Sequence, residues 1–184
     1  MKRTIMLMAT MTLTVLLAAG VALAVEKTCQ ADTDCFGTDQ ADTLTGSSGN
    51  DRIFGRGGPD LIRGLSGLDY LSGGRGADEV RGGDDADEIL GGGGADNLYG
   101  GRGNDRTSGP GPGITGGRGP DGLNGGGGDD FIYAASDGST DTISCGASSG
   151  QGGDIVAFDK NNSGITDVLD DTCNDAQQVV IGTH

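Results

Sequence analysis

A nine-residue unit recurs almost without interruption from Gly37 to Tyr133. A fixed period of this kind dictates an array of small stacked units before any other argument applies. From Gly46 the units read GSSGNDRIF, GRGGPDLIR, GLSGLDYLS, GGRGADEVR, GGDDADEIL, GGGGADNLY and GGRGNDRTS, preceded by a worn copy from Gly37 to Thr45, GTDQADTLT. A seven-residue interruption, Gly109 to Thr115 (GPGPGIT), stands before GGRGPDGLN and GGGGDDFIY. The sixth position is Asp in ten of these eleven units. The eighth is Leu, Ile or Val in every unit except the one holding Thr107, with Ile114 as the equivalent in the short unit.

Each unit divides into a six-residue turn, G-G-x-G-x-D, and a three-residue strand whose middle residue is aliphatic. Glycine at positions 1, 2 and 4 permits positive φ, so the turn is sharp and its carbonyls can aim inward. In the strand, position 8 points to one side and positions 7 and 9 to the other. Two units then make one coil of a flattened solenoid, and alternate units stack into two parallel sheets. One face is expected to bury Leu44, Ile62, Val80, Leu98, Ile114 and Ile132, and the opposite face Ile53, Leu71, Ile89, Thr107, Leu123 and Ile143. The outward positions are mixed and lack a regular Thr ladder, which argues against ice binding. Phe54, Tyr70, Leu90 and Tyr99 are the candidates for an exposed apolar patch.

Stacking poses an electrostatic problem. Units two apart lie one coil apart, about 4.8 Å by the spacing of paired strands, so their position-6 carboxylates face each other. Six complete pairs follow in the unbroken block: Asp42–Asp60, Asp51–Asp69, Asp60–Asp78, Asp69–Asp87, Asp78–Asp96 and Asp87–Asp105. Asp105–Asp121 is expected as a seventh, Asp96 is expected to lack a C-terminal partner, and the short unit, without a carboxylate, is expected to leave an empty position. Like charges this close repel, and a core one side chain thick does not offset a column of them. A hard divalent cation that accepts carboxylates and backbone carbonyls at flexible geometry is calcium, whereas magnesium demands a tight octahedron and keeps its water.

Composition makes the same demand. Without Lys2 and Arg3 the chain from Val25 carries 10 basic and 27 acidic residues, and Leu, Ile, Val and Phe number only 28 of its 160 residues. That content falls below the roughly 20% under which a highly charged chain is expected to be disordered, and 38 glycines add backbone entropy to the cost. Folding is therefore expected to be coupled to metal binding, with a flexible glycine-rich chain as the metal-free state. The acidic balance argues against nucleic acid as a partner.

The units resemble the RTX, or haemolysin-type, calcium-binding repeats. The resemblance covers residues 37–133 and implies an all-β fold, a right-handed parallel β-roll (β-solenoid), with calcium held between adjacent turns. It implies that the position-6 Asp side chains and carbonyls of the glycine turns are ligands. The candidate metal residues are thus Asp42, Asp51, Asp60, Asp69, Asp78, Asp87, Asp96, Asp105, Asp121 and Asp130. Gln40 and Asp85 depart from the pattern, standing where position 4 is otherwise Gly.

Both ends read as caps. Met1-Lys2-Arg3, an apolar run from Ile5 to Val21 and Ala22-Leu23-Ala24 make residues 1–24 a signal peptide, with an uncleaved anchor as the alternative. All four cysteines, 29, 35, 145 and 173, lie outside the repeats. An even count in an exported chain implies two disulfides, and four cysteines allow three connectivities. D-x-U recurs at Asp141-Thr-Ile143, Asp154-Ile-Val156 and Asp167-Val-Leu169. If the coil continues, Ile143 and Leu169 lie one coil apart on the same face, which favours Cys145–Cys173 and leaves Cys29–Cys35. Segment 25–36 is then an N-terminal disulfide cap, similar to the loop before the repeats in small secreted actinobacterial proteins of this group, and 134–184 a C-terminal β cap. Within it, Asp159–Asp170 matches EF-hand loop spacing, a candidate extra calcium loop, but ends in Asp and has strand-like flanks, and a polar insertion between two cap strands is the preferred explanation of the same residues.

An enzyme is not expected. There is no HExxH, the only histidine is His184, and Gly146-Ala147-Ser148-Ser149-Gly150 satisfies G-x-S-x-G only as a Gly/Ser-rich loop does by chance. The expected function is that of a secreted calcium-binding roll with no stable membrane insertion after signal cleavage. The alternative is a cell-surface adhesion or envelope spacer protein using the same roll.

Overall fold

The structure, a computed structural model, describes residues 25–105, 114–134, 140–148, 154–159, 168–169, 173 and 177–181. Two parallel sheets, each of eight strands among these residues, face each other. The first holds, in spatial order, β1 (Val25–Thr28), β3 (Asp42–Thr45), β5 (Leu61–Ser66), β7 (Glu79–Asp84), β9 (Asn97–Arg102), β11 (Gly122–Gly128), β13 (Thr142–Ser148) and β15 (Val168–Leu169). The second holds β2 (Asp34–Phe36), β4 (Arg52–Gly57), β6 (Tyr70–Arg75), β8 (Glu88–Gly93), β10 (Ile114–Arg118), β12 (Phe131–Ala134), β14 (Ile155–Asp159) and β16 (Gln177–Ile181). Consecutive strands alternate between the sheets, so the chain is the expected parallel β-solenoid.

The strands are longer than the expected three residues. β4 and β5, for example, run six residues, from position 7 of one unit to position 3 of the next. Glycines at positions 1 and 2 therefore sit inside the ladders, as Gly74↔Gly92 and Gly83↔Gly101 do. Without a Cβ they let backbones of successive coils close up, and the true turn shrinks to positions 4 to 6.

The aliphatic residues form two rows. Leu44, Ile62, Val80, Leu98, Leu123, Ile143 and Leu169 are in register on the first sheet. Ile53, Leu71, Ile89, Ile114, Ile132 and Val156 are in register on the second. This exchanges the expected faces of Ile114, Ile132, Leu123 and Ile143. The interruption is not a unit of its own but a seven-residue insertion between Asp105 and its strand, so Ile114 rather than Thr107 completes the unit that begins at Gly100. An aliphatic side chain gains from burial where a threonine hydroxyl would need a partner; Thr107 itself lies outside the described residues.

The disulfides are the expected ones, Cys29–Cys35 and Cys145–Cys173, with Cα–Cα separations of 5.6 and 5.0 Å. The second ties coils that Ile143↔Leu169 brings into register. The exposed patch does not assemble as expected, because Tyr99 is on the first sheet and Phe54, Tyr70 and Leu90 on the second. Phe36 instead stacks on Phe54 at 5.1 Å, and Phe54 meets Tyr70 at 5.5 Å. The proposed signal peptide and most of the Asp159–Asp170 loop lie outside the described residues, as do Ser149 and Gly150 of the G-x-S-x-G match.

Candidate metal sites

Every position-6 aspartate among the candidates is buried, none more than 3% exposed. Asp42 opens β3, and Asp51, Asp60, Asp69, Asp78, Asp87, Asp96, Asp121 and Asp130 stand immediately before β4 to β9, β11 and β12, where alternation points position 6 inward along with the aliphatic residue two places on. Asp105 is parted from β10 by the insertion. In each column the carboxylate of one coil accepts a hydrogen bond from the aspartate N–H of the coil before. The Asp42, Asp60 and Asp78 amides donate to Oδ1 of Asp60, Asp78 and Asp96 at 2.8, 2.8 and 2.9 Å. Those of Asp51, Asp69 and Asp87 donate to Asp69, Asp87 and Asp105 at 2.8, 3.0 and 3.1 Å. All six expected pairs are thus stacked neighbours.

After the insertion the register differs from expectation. Asp96 does have a C-terminal neighbour, its amide donating to Asp121 at 2.9 Å, and Asp105 pairs with Asp130 at 2.9 Å rather than with Asp121. The 25-residue spacing of both pairs is the ordinary 18 plus the seven inserted residues. The columns also run further than expected. Asp121 donates to Asp141 at 3.0 Å and Asp130 to Asp154 at 2.9 Å. Asp141 and Asp154 were legible as D-x-U strand markers, but the loss of the glycine pattern around them hid their place in the columns.

One hydrogen bond per carboxylate leaves the other oxygen. Oδ2 of Asp60, Asp69, Asp78, Asp87, Asp96 and Asp105 is buried without a hydrogen-bond partner. A second oxygen converges on the same point. A methyl added at the inward-facing Gly73 would sit 2.7 Å from the Gly91 carbonyl oxygen and against Asp78 Oδ2. The same pair, an aspartate Oδ2 and a carbonyl of the next coil, meets beside Gly37, Gly46, Gly55, Gly64, Gly82, Gly91 and Gly100, although at Gly37 and Gly46 the Oδ2 also accepts hydrogen bonds from Thr38 and Ser47. Two buried acceptors aimed at one spot with no donor between them cost free energy unless the carboxyl takes up a proton or a cation joins them.

Burial bears on the protonation of the same carboxylates. Burial first, and the facing Asp78 and Asp42 charges, raise Asp60 from 3.8 to about 7 against the opposing hydrogen bond from the Asp42 amide. Burial similarly raises Asp87 to about 8, Asp105 to about 7, and Asp69 and Asp96 to about 6. Among the described residues no three His, Cys, Asp or Glu side chains gather in one place. A cation here has to be shared between carboxylates and backbone oxygens, as calcium tolerates.

Compared with known protein families, the chain matches the RTX calcium-binding nonapeptide repeat (four copies) over residues 36–71, 72–107 and 114–143. The chain belongs to the RTX nonapeptide-repeat family. RTX nonapeptide repeats bind calcium, and they are in general structural rather than catalytic. No curated protein matches the chain. No helix among the described residues is long and apolar enough to cross a membrane.

The RTX pattern accounts for the glycines as chemistry rather than as mere flexibility. Position 1 leaves space where the oxygens converge, and position 2 takes positive φ in most units, as at Gly74 (112°) and Gly101 (120°). Of the two departures at position 4, Asp85 adopts the left-handed conformation at φ 78°, whereas Gln40 does not.

Proposed function

We propose that this RTX chain is an exported, non-enzymatic protein whose roll is completed by structural calcium ions along two aspartate columns. One column runs Asp60, Asp78, Asp96 and Asp121, and the other Asp69, Asp87, Asp105 and Asp130. Asp42 and Asp51 stand at the heads of these columns. The observation that carries the reading is the convergence of a partnerless Asp Oδ2 and a carbonyl of the next coil, repeated at Gly55, Gly64, Gly73, Gly82, Gly91 and Gly100. Calcium, when bound, supplies the positive charge these oxygens lack. The residues supply the rest: Oδ1 ties each coil to its neighbour, glycine admits the second oxygen, and the aliphatic rows keep the carboxylates dry. Export is supported by the signal-like sequence of residues 1–24 and by two disulfides, which persist in oxidising compartments.

Circular dichroism of the chain from Val25 during a calcium titration tests the coupling. A steep gain of β-structure near millimolar calcium, with no response to magnesium, is expected for an extracellular module. A spectrum indifferent to both calcium and chelator overturns the reading.

A further inference from the structure

The two columns are not uniform. In the first two units position 2 is Thr38 or Ser47 rather than the Arg, Leu or Gly found later. There the carboxylate is closed by protein donors. Thr38 gives its N–H and its hydroxyl to Asp42 Oδ2 at 2.6 and 3.0 Å, and the Gln40 amide donates to the same hydroxyl oxygen at 3.1 Å. Ser47 repeats the arrangement on Asp51 Oδ2 at 2.6 and 3.0 Å, with the Gly49 amide behind it at 3.2 Å. None of Thr38, Gln40, Ser47 and Gly49 has positive φ. From the third unit the backbone changes hand: Arg56 (80°), Leu65 (90°) and the position-2 glycines after them take positive φ, and the Oδ2 atoms from Asp60 to Asp105 have no partner.

Asp42 is satisfied on both sides, since the Val25 nitrogen donates to Oδ1 at 3.2 Å. Asp51 keeps a bare Oδ1 only because it heads its column; Thr33, 18 residues earlier, gives its N–H to Gln30 instead.

The same end is held together by means that need no ion. Cys29–Cys35 closes the segment joining β1 and β2, and the Cys29 amide donates to the Thr45 carbonyl at 2.7 Å. The Phe36–Phe54–Tyr70 stack spans β2, β4 and β6, with the Arg56 guanidinium 4.8 Å over Phe36 and that of Arg52 5.7 Å from Phe54. These ring faces are spent on each other and on arginine, so the stack reads as a weld between coils rather than a docking platform.

We infer that residues 25–54 form a calcium-independent seed, in which the hydroxyls of Thr38 and Ser47 take the place that ions hold in the later coils. The inference rests on the calcium reading of the roll and refines it: Asp42 and Asp51 serve as hydrogen-bond acceptors rather than ion ligands, and the ion columns begin at Asp60 and Asp69. The seed presents the Asp42 and Asp51 amides to the carboxylates of Asp60 and Asp69. In a solenoid each unit needs only its neighbour, so a preformed end lets the roll grow coil by coil as calcium arrives.

Hydrogen exchange read by mass spectrometry on the full exported chain, disulfides intact, tests this in chelator and in calcium. In chelator, slow exchange is expected across 37–54 and fast exchange from about residue 60 onward, with calcium slowing the later coils. The Thr38→Val/Ser47→Ala protein should lose the seed's protection in chelator, by roughly ten- to a hundredfold for hydrogen bonds to a charged acceptor. Thr38→Ser/Ser47→Thr, which keeps both hydroxyls, should retain it. Fast exchange across 37–54 of the wild-type chain in chelator, with the later coils still answering to calcium, overturns the seed and leaves the calcium reading standing. Unchanged protection in Thr38→Val/Ser47→Ala also overturns it. Later coils that ignore calcium sink the calcium reading instead.

Discussion

A single glycine position shows how closely the backbone and the proposed ion site are matched. Gly73 has ordinary negative φ, so its identity is not dictated by conformation; it is dictated by the two oxygens that a methyl group would strike. Gly73→Ala is expected to cost about 1–3 kcal/mol as an overpacked site and to raise the calcium midpoint in a dichroism titration. Gly93→Ala, where a methyl would meet nothing within 4 Å, should change stability by less than about 0.5 kcal/mol. Equal effects at the two positions would mean that glycine matters here only through chain entropy. Asp78 makes a second test, because it stacks between Asp60 and Asp96. Asp78→Ala should remove two calcium ions from the bound total in equilibrium dialysis, whereas a carboxylate serving one isolated site would remove one.

Between Asp105 and Ile114 the repeat absorbs seven extra residues without losing a coil, since Ile114 stacks on Ile89 and Asp105 on Asp130. Deleting residues 106–112 leaves Asp105-Gly113-Ile114, which restores D-x-U at the ordinary spacing. The shortened chain is expected to fold with calcium as before and to melt at an equal or higher temperature, because a shorter loop costs less entropy to close. A collapse of the calcium-induced signal would show that the insertion supports the coil rather than hanging from it. At the far end, Cys145–Cys173 joins β13 to the coil of β15. Replacing both cysteines by serine should cost roughly 2–4 kcal/mol and show as earlier loss of the C-terminal coils in hydrogen exchange.

Taken together, the buried carboxylates make the metal-free roll sensitive to pH in a definite direction. Their pKa values in the folded chain lie at about 6 to 8, above the ordinary 3.8 of the unfolded chain. Between those values the folded form holds more protons, so its stability without metal is greatest at and below the ordinary value and falls as pH rises through about 6 to 8. Calcium needs the same groups ionised, so its affinity changes the opposite way. In chelator the chain is therefore expected to show more β-structure at pH 5 than at pH 8, and the calcium midpoint should fall over that range. A metal-free dichroism spectrum that does not change with pH would mean that the columns are not the source of the instability.

The period, the coil of two units, the two rows of aliphatic residues up to Leu98, the six stacked aspartate pairs and both disulfides were legible in the chain alone. Each follows from spacing or alternation, and these are properties that residues carry with them. The register after Arg102 was not, because whether Thr107 or Ile114 fills a core position depends on which one the neighbouring coil buries. Nor was the difference between the turns of Asp42 and Asp51 and those that follow. Thr38 and Ser47 look like ordinary substitutions for glycine until folding brings their hydroxyls onto a carboxylate four residues away. Hydrogen-bond satisfaction is settled only when the donors and the acceptors are all in place.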